Sequence, residues 1–216
     1  MNTSNRHFGA FTLTALLLSL FINSSAMCEG FGIKAGLSSS RQSYEYDIAG
    51  FEVERLSQYG ISAGIFLSYK VSNLPELRFE VDYVQKGSSI DLLVTTEQYP
   101  DGFERIMIQD RIHYISINVL ALPVLQKGWT IAPYLIIGPR IDILAGSTSD
   151  FPSLVLDDLK STVFGATIGA GIILNSNSAA SLLVEIIYNP DFSYAYEKGV
   201  LTVKNNTIQL MTGISF

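Results

Sequence analysis

Charge is scarce in this sequence. Only 16% of the 216 residues are Asp, Glu, Lys or Arg, against 48% apolar, whereas an ordinary soluble domain carries about 25% charge. Cysteine is nearly absent: Cys28 stands alone, which excludes an intrachain disulfide and a cysteine-based metal cluster. Long apolar runs are missing as well. Only Ala10–Ile22 approaches the roughly 18 residues of a transmembrane helix, and it is N-terminal and too short. A mean hydropathy of +0.29 must therefore come from apolar residues dispersed over many short segments. Basic residues are outnumbered, 14 Lys+Arg against 20 Asp+Glu for a net charge of −6. That balance argues against nucleic acid as a partner, since phosphate binding needs clustered cations.

The apolar N-terminal segment has the layout of a secretion signal. Arg6 supplies the positive start, Ala10–Ile22 the apolar stretch, and Ser24–Ala26 the small residues before a cleavage point after Ala26. The competing reading is a buried or anchoring helix. The chain is read as a leader, 1–26, and one domain, 27–216. Without the leader it keeps 13 basic residues against 20 acidic, a net of −7, because Arg6 is the only charged residue removed. Cys28 stands where a lipoprotein carries its acylated cysteine, but Met27 replaces the small residue expected before it. The thiol is read as unmodified.

What the rest of the chain has is alternation. Eight segments alternate with a period of two: 31–39, 59–70, 76–87, 112–123, 131–143, 162–174, 180–189 and 206–216. Most match the roughly 9–11 residues of a tilted membrane-spanning strand rather than the five or six usual in soluble sheets. The intervening segments alternate too. Long ones (40–58, 88–111, 144–161, 190–205) take turns with tight ones such as "VSNLP", "QKGWT" and "NSNSA". This pattern predicts an all-β, eight-stranded antiparallel up-and-down barrel of the outer-membrane kind, with its long loops at one end.

Splitting each strand by parity gives one row without any acid or base, for example Leu77, Phe79, Val81 and Tyr83. The opposite row holds Lys34, Arg78, Glu80, Asp82, Lys86, Arg140, Asp142 and Glu185. Four are positive and four negative. Unpaired buried charge is costly, and an eight-stranded barrel is just wide enough for side chains to fill it. The expectation is an ionic network inside a packed lumen and an apolar face toward outer-membrane lipid. The last residues, "LMTGISF", end on Phe216. They resemble the C-terminal strand by which outer-membrane proteins address the barrel-assembly machinery.

Several stretches also resemble the PorT-like outer-membrane β-barrel family. They are "GIKAGLS" (32–38), "YGISAGIFLSYKV" (59–71), "ELRFEVDYVQKGSSI" (76–90), "LPVLQKG" (122–128), "APYLIIGPRIDIL" (132–144), "FGATIGAGI" (164–172) and "KNNTIQLMTGISF" (204–216). The resemblance spans roughly 31–216. It implies an eight-stranded barrel in the outer membrane of a Gram-negative bacterium of the Bacteroidetes lineage, with some relatives linked to secretion and surface display. It carries no catalytic or ligand motif onto particular residues.

Sites of chemistry are few. After the leader the only histidine is His113, read as a rim residue, and neighbouring Asp110 and Arg111 point to opposite faces of a strand. "GATIGAG" at 165–171 continues as strand, so its glycines are read as lumen-facing small residues rather than a phosphate loop. No metal constellation or cofactor motif is apparent. Tyr69, Tyr83, Tyr188, Phe216 and Trp129 fall near strand ends, as aromatic girdles do. Tyr44, Tyr46, Tyr99, Tyr194 and Tyr196 lie in the long loops, where they serve a protein partner or pack over the barrel mouth. The leading functional expectation is a non-enzymatic structural or interaction protein that displays four long surface loops or serves as part of a secretion or assembly complex. The alternatives are a small outer-membrane pore or transporter, a soluble lipocalin-like carrier, and a barrel enzyme.

Overall fold

The computed structural model describes residues 27–46, 56–70, 74–96, 99–125, 131–149, 159–174, 180–198 and 201–216. The leader read over 1–26 lies outside them, as does Trp129. Nine strands follow in chain order. They are β1 (Met27–Tyr46), β2 (Leu56–Lys70), β3 (Glu76–Thr96), β4 (Tyr99–Leu122), β5 (Ile131–Ser149), β6 (Thr162–Leu174), β7 (Ser181–Pro190), β8 (Tyr196–Lys198) and β9 (Leu201–Ser215). All pairings are antiparallel. β1 to β7 pair in sequence order, and β9 pairs with both β7 and β1, which closes the sheet. Among the described residues β8 pairs only with the start of β9, above the point where β7 leaves it. The wall is therefore eight strands around.

The period of two decides which side of this wall each residue takes. The row without charge points outward, where Leu37, Ile65, Ile137, Ile186 and Leu210 are each more than half exposed. The opposite row is buried, charged residues included. In water this arrangement would be upside down. In a bilayer it is the stable one, because lipid covers the apolar face and every backbone group pairs within a closed sheet. No helix among the described residues is long and apolar enough to cross a membrane.

The long connections are shorter than the alternation suggests. β1 runs to Tyr46, β3 to Thr96 and β5 to Ser149, while β4 starts at Tyr99, all within segments read as loops. The segment 190–205 likewise holds β8 and the start of β9. The physical reason is that outside the hydrocarbon neither face of a strand must be apolar. Backbone pairing continues there while the periodic signal vanishes. The effect is largest in β3 and β4. β2 last pairs with β3 at Ser89, and β5 last pairs with β4 at Asp110. From Ile90↔Ile108 to Thr96↔Tyr99 the two strands pair only with each other among the described residues. They leave the wall as a two-stranded ribbon.

Gly87 marks the departure. Its φ of 154° suits glycine, and a Cβ there would collide with the Asp110 carbonyl. Nearby, the β2–β3 register slips between Ser57 and Ser62. Ser40 Oγ accepts from Gly87 N at 2.7 Å and donates to Gly87 O at 3.0 Å, which holds the bend against β1.

Ile137 lies near mid-height of the apolar row on β5. Ile137→Arg is expected to destabilise the barrel by roughly 2–4 kcal/mol, the cost of a cation on the lipid face near the bilayer midplane. Denaturant titration of protein refolded into phosphatidylcholine vesicles measures it.

Candidate functional site: a filled ionic lumen

The inward row builds the interior in layers. Toward the tight turns, Leu120, Leu122, Tyr134, Ile136, Ile187 and Met211 form an apolar plug. Toward the other end Ile112, Tyr114, Val163 and Ala195 form a second. The charged residues occupy the space between. Two close approaches show how tightly the lumen is fitted. A Cβ on Gly32 would collide with the Phe66 ring, and one on Gly171 would stand 2.5 Å from Cζ of Tyr134.

The charges sort into two clusters. In the first, Lys34 Nζ lies 2.6 Å from Glu80 Oε2, 3.6 Å from Asp82 Oδ2 and 3.7 Å from Glu185 Oε2. Arg78 Nη1 reaches Glu185 Oε1 at 2.5 Å and Glu80 Oε1 at 3.4 Å, and Tyr134 OH donates to the same Glu185 oxygen at 2.6 Å. The Arg78 guanidinium also lies 4.5 Å from the centre of the Phe66 ring, a favourable cation–π placement. In the second cluster Lys86 Nζ bonds Asp142 Oδ2 at 2.6 Å and Asp191 Oδ1 at 3.1 Å. Arg140 Nε reaches Asp142 Oδ2 at 3.1 Å and Arg140 Nη2 pairs with Asp191. Ser116 donates to Asp142 Oδ1 at 2.6 Å.

A polar belt runs from the first cluster across the lumen. Asn118 Nδ2 donates to Asp82 Oδ2 at 3.0 Å. Thr167 Oγ1 lies 3.0 Å from Asn118 Oδ1 and 2.8 Å from Asn189 Oδ1. Asn189 Nδ2 donates to Gln209 Oε1 at 2.7 Å, and Gln209 Nε2 to Ser62 Oγ at 2.8 Å. A cavity bounded in part by Asp82, Ser116, Asn118 and Thr167 measures about 10 Å³, the room of about one water molecule.

Asp191 is a residue that alternation did not reveal. It follows Pro190, where the periodic signal stops, yet it is buried on the row of Glu185 and Asn189. With Asp191 the two clusters hold five carboxylates against the four cations, not the even four and four read from parity. Carrying the odd-numbered row of β7 past the proline would have found it. Tyr114 and Tyr134, on the even rows of β4 and β5, were missed because aromatic residues carry no charge signal.

Arg140 has a second task that proline creates. Extending the β6–β7 register from Ile168↔Tyr188 to the bridge Gly165↔Asp191 puts Pro190 opposite Ala166. Pro190 has no N–H to give. Arg140 supplies the donors instead, with Nη1 to Ala166 O at 3.0 Å and Nη2 to Pro190 O at 3.5 Å. Gly165 makes the room, since a Cβ there would stand 2.6 Å from Arg140 Nη2 and 2.5 Å from Pro190 O.

Outside the lumen, His113 lies on the outer face of β4. Its Nδ1 is 2.7 Å from Tyr83 OH, the two rings stack 6.0 Å apart, and Gln85 Nε2 donates to the same hydroxyl at 3.0 Å. Asp110 points inward and is buried, whereas Arg111 is exposed and donates to Gln109 Oε1 at 3.0 Å. At the other end Phe216 stacks on Phe31 at 5.4 Å, and the two residues exchange backbone hydrogen bonds of 2.8 and 3.2 Å.

No family model matches the chain, and no curated protein does. Solved structures with a similar fold are bacterial outer-membrane proteins. Neisserial surface protein A is 16% identical, covers 88% of this chain and 97% of its own, and has a TM-score of 0.47. OprG from Pseudomonas aeruginosa is 11% identical over 87% of this chain and 95% of its own, with a TM-score of 0.44. Outer membrane protein W of E. coli is 13% identical over 87% and 97%, with a TM-score of 0.41. The chain's own geometry decides its place. A closed wall, apolar outside and ion-paired within, is an integral barrel of the bacterial outer membrane.

Removing one partner of a buried ion pair costs about 3–5 kcal/mol. Glu80→Leu removes the nearest carboxylate from Lys34 and one of two from Arg78, and is expected to lower the unfolding midpoint in vesicles below that of Val81→Leu, which changes only the lipid face. Equal midpoints would contradict the packed ionic interior.

Proposed function

We propose that this outer-membrane barrel is a non-catalytic anchor that carries extended hairpins at the cell surface as part of a secretion or assembly complex. The observation that carries the reading is the contrast between its two halves. The lumen is filled by paired charges, the interior ions being at most 6% exposed, while the β3–β4 ribbon continues past its neighbours from Ile90 to Ile108. A filled barrel offers no wide path for solute. A two-stranded ribbon with both edges unpaired in the described structure is a template to which another chain can add a strand. The resemblance to PorT-like proteins of the Bacteroidetes lineage supports a secretion role. The strand ending at Phe216 is the segment we assign to the barrel-assembly machinery.

Replacing residues 90–108 by an Asn-Gly turn, which suits a two-residue hairpin between the paired Ser89 and Gln109, tests this directly. The shortened protein should still show the heat-dependent gel shift of a folded barrel. It should fail to restore secretion and surface display in a deletion strain that the full chain restores. Full restoration by the shortened protein would overturn the reading. In planar bilayers the intact protein should show no steady ion conductance; a steady current would favour the small-pore alternative.

A further inference from the structure

A buried polar atom without a hydrogen bond is costly, yet such atoms gather in one part of the lumen. Tyr114 OH, Asp191 Oδ2, Thr207 Oγ1 and both polar atoms of the Asn205 amide are buried, and no group of the protein bonds them. They come from separate segments that the closed wall brings together. Asn205 and Thr207 are alternate residues on the inner row of β9 and are wholly buried. Asp191 sits beside Asn205, since its N–H donates to Asn205 O at 3.1 Å. Tyr114 enters from β4, on the opposite side of the wall. Lys86 ties it to the others, with Nζ 5.2 Å from the centre of the Tyr114 ring and 3.1 Å from Asp191 Oδ1.

Charge decides what kind of ligand these atoms can take. Lys86 and Arg140 are already matched by Asp142 and Asp191, so these pairs leave no charge for an ion to balance. The free atoms are of both kinds. The Asn205 N–H groups and the two hydroxyls donate, while Asp191 Oδ2 and Asn205 Oδ1 accept. Water meets both needs and is small enough for a packed interior. The row also leads to a place with room for it. The register sets Thr207 opposite Asn189, and Asn189 and Gln209 both line the cavity of about 10 Å³ that Asp82 helps to bound. Met211 comes next on the row and belongs to the apolar plug, where water finds no partner.

We propose that the inner row of β9 binds a file of ordered water, which runs from Tyr114, Asp191 and Asn205 past Thr207 to the cavity at Asn189 and Gln209, and stops at Met211. The file makes the interior wet on the side of the long hairpins and dry toward the tight turns. It hydrates the Lys86–Asp191 pair without opening a path across the membrane. The site is independent of the surface ribbon, so its test stands apart from the secretion reading.

A high-resolution crystal structure of the refolded protein is the direct test. Water oxygens are expected at hydrogen-bond distance, about 2.7–3.2 Å, from Asn205 Nδ2, Thr207 Oγ1, Asp191 Oδ2 and Tyr114 OH, and none between Met211 and Leu120. Thr207→Val gives a second, independent readout, because it removes the hydroxyl at nearly constant volume. Were that hydroxyl unmet, its loss would stabilise the barrel. With water bound, the variant deletes a hydrogen bond and should raise the unfolding equilibrium constant in vesicles about fivefold. Asn205→Leu should shift it in the same direction. A row free of water in the density would overturn the proposal, as would direct bonds among the four side chains. Thr207→Val at least as stable as the parent would also overturn it.

Discussion

A backbone N–H or C=O left unpaired in hydrocarbon costs several kcal/mol, and the rest of this molecule follows from avoiding that. A sheet can satisfy the constraint only by closing, which β9 does by pairing with β1 along its length, from Leu201↔Tyr46 to Ser215↔Gly32. Closure with eight strands leaves an interior that side chains must fill. Once residues alternate across the wall, the face turned from lipid holds whatever is polar. The ionic lumen is thus a consequence of closure in lipid and requires no bound ligand to explain it.

Within that interior, each large group is matched by a small one. Phe66 lies against Gly32, Tyr134 against Gly171 and Arg140 against Gly165. Arg140 shows how covalent limits propagate. A proline in the wall removes a donor, a guanidinium replaces it, a glycine makes space for the guanidinium, and two aspartates neutralise its charge. Gly165, Arg140 and Pro190 come from three separate strands, yet none of the three fits this arrangement without the others.

Much of the membrane-embedded architecture was legible because lipid imposes a strict alternation on every strand that crosses it. The sequence signal and the physical constraint are the same thing there. Above the bilayer the constraint lapses, and so does the signal. β3 and β4 therefore run on through 88–111 unannounced by any periodic pattern. Parity shows a residue's face and not its partner. That Lys34 meets Glu80 while Lys86 meets Asp142 and Asp191 depends on strand stagger, which alternation does not encode. Asp191 escaped for a related reason, because Pro190 looks like the end of a strand when it is only a gap in hydrogen bonding.

The seam between the first and last strands has a kinetic consequence. β1 to β7 pair in sequence order, so their hairpins need only local chain closure. The β1–β9 seam alone joins the two ends of the barrel, with Phe31 bonded to Phe216. Until it forms, the sheet has two open edges, and open edges invite pairing with other chains. Contacts so distant along the chain form slowly, because loop-closure entropy opposes them until late. Insertion of this protein therefore has a natural last step, the meeting of its ends. A factor that holds β9 ready while β1 arrives shortens the interval in which the barrel is an exposed ribbon.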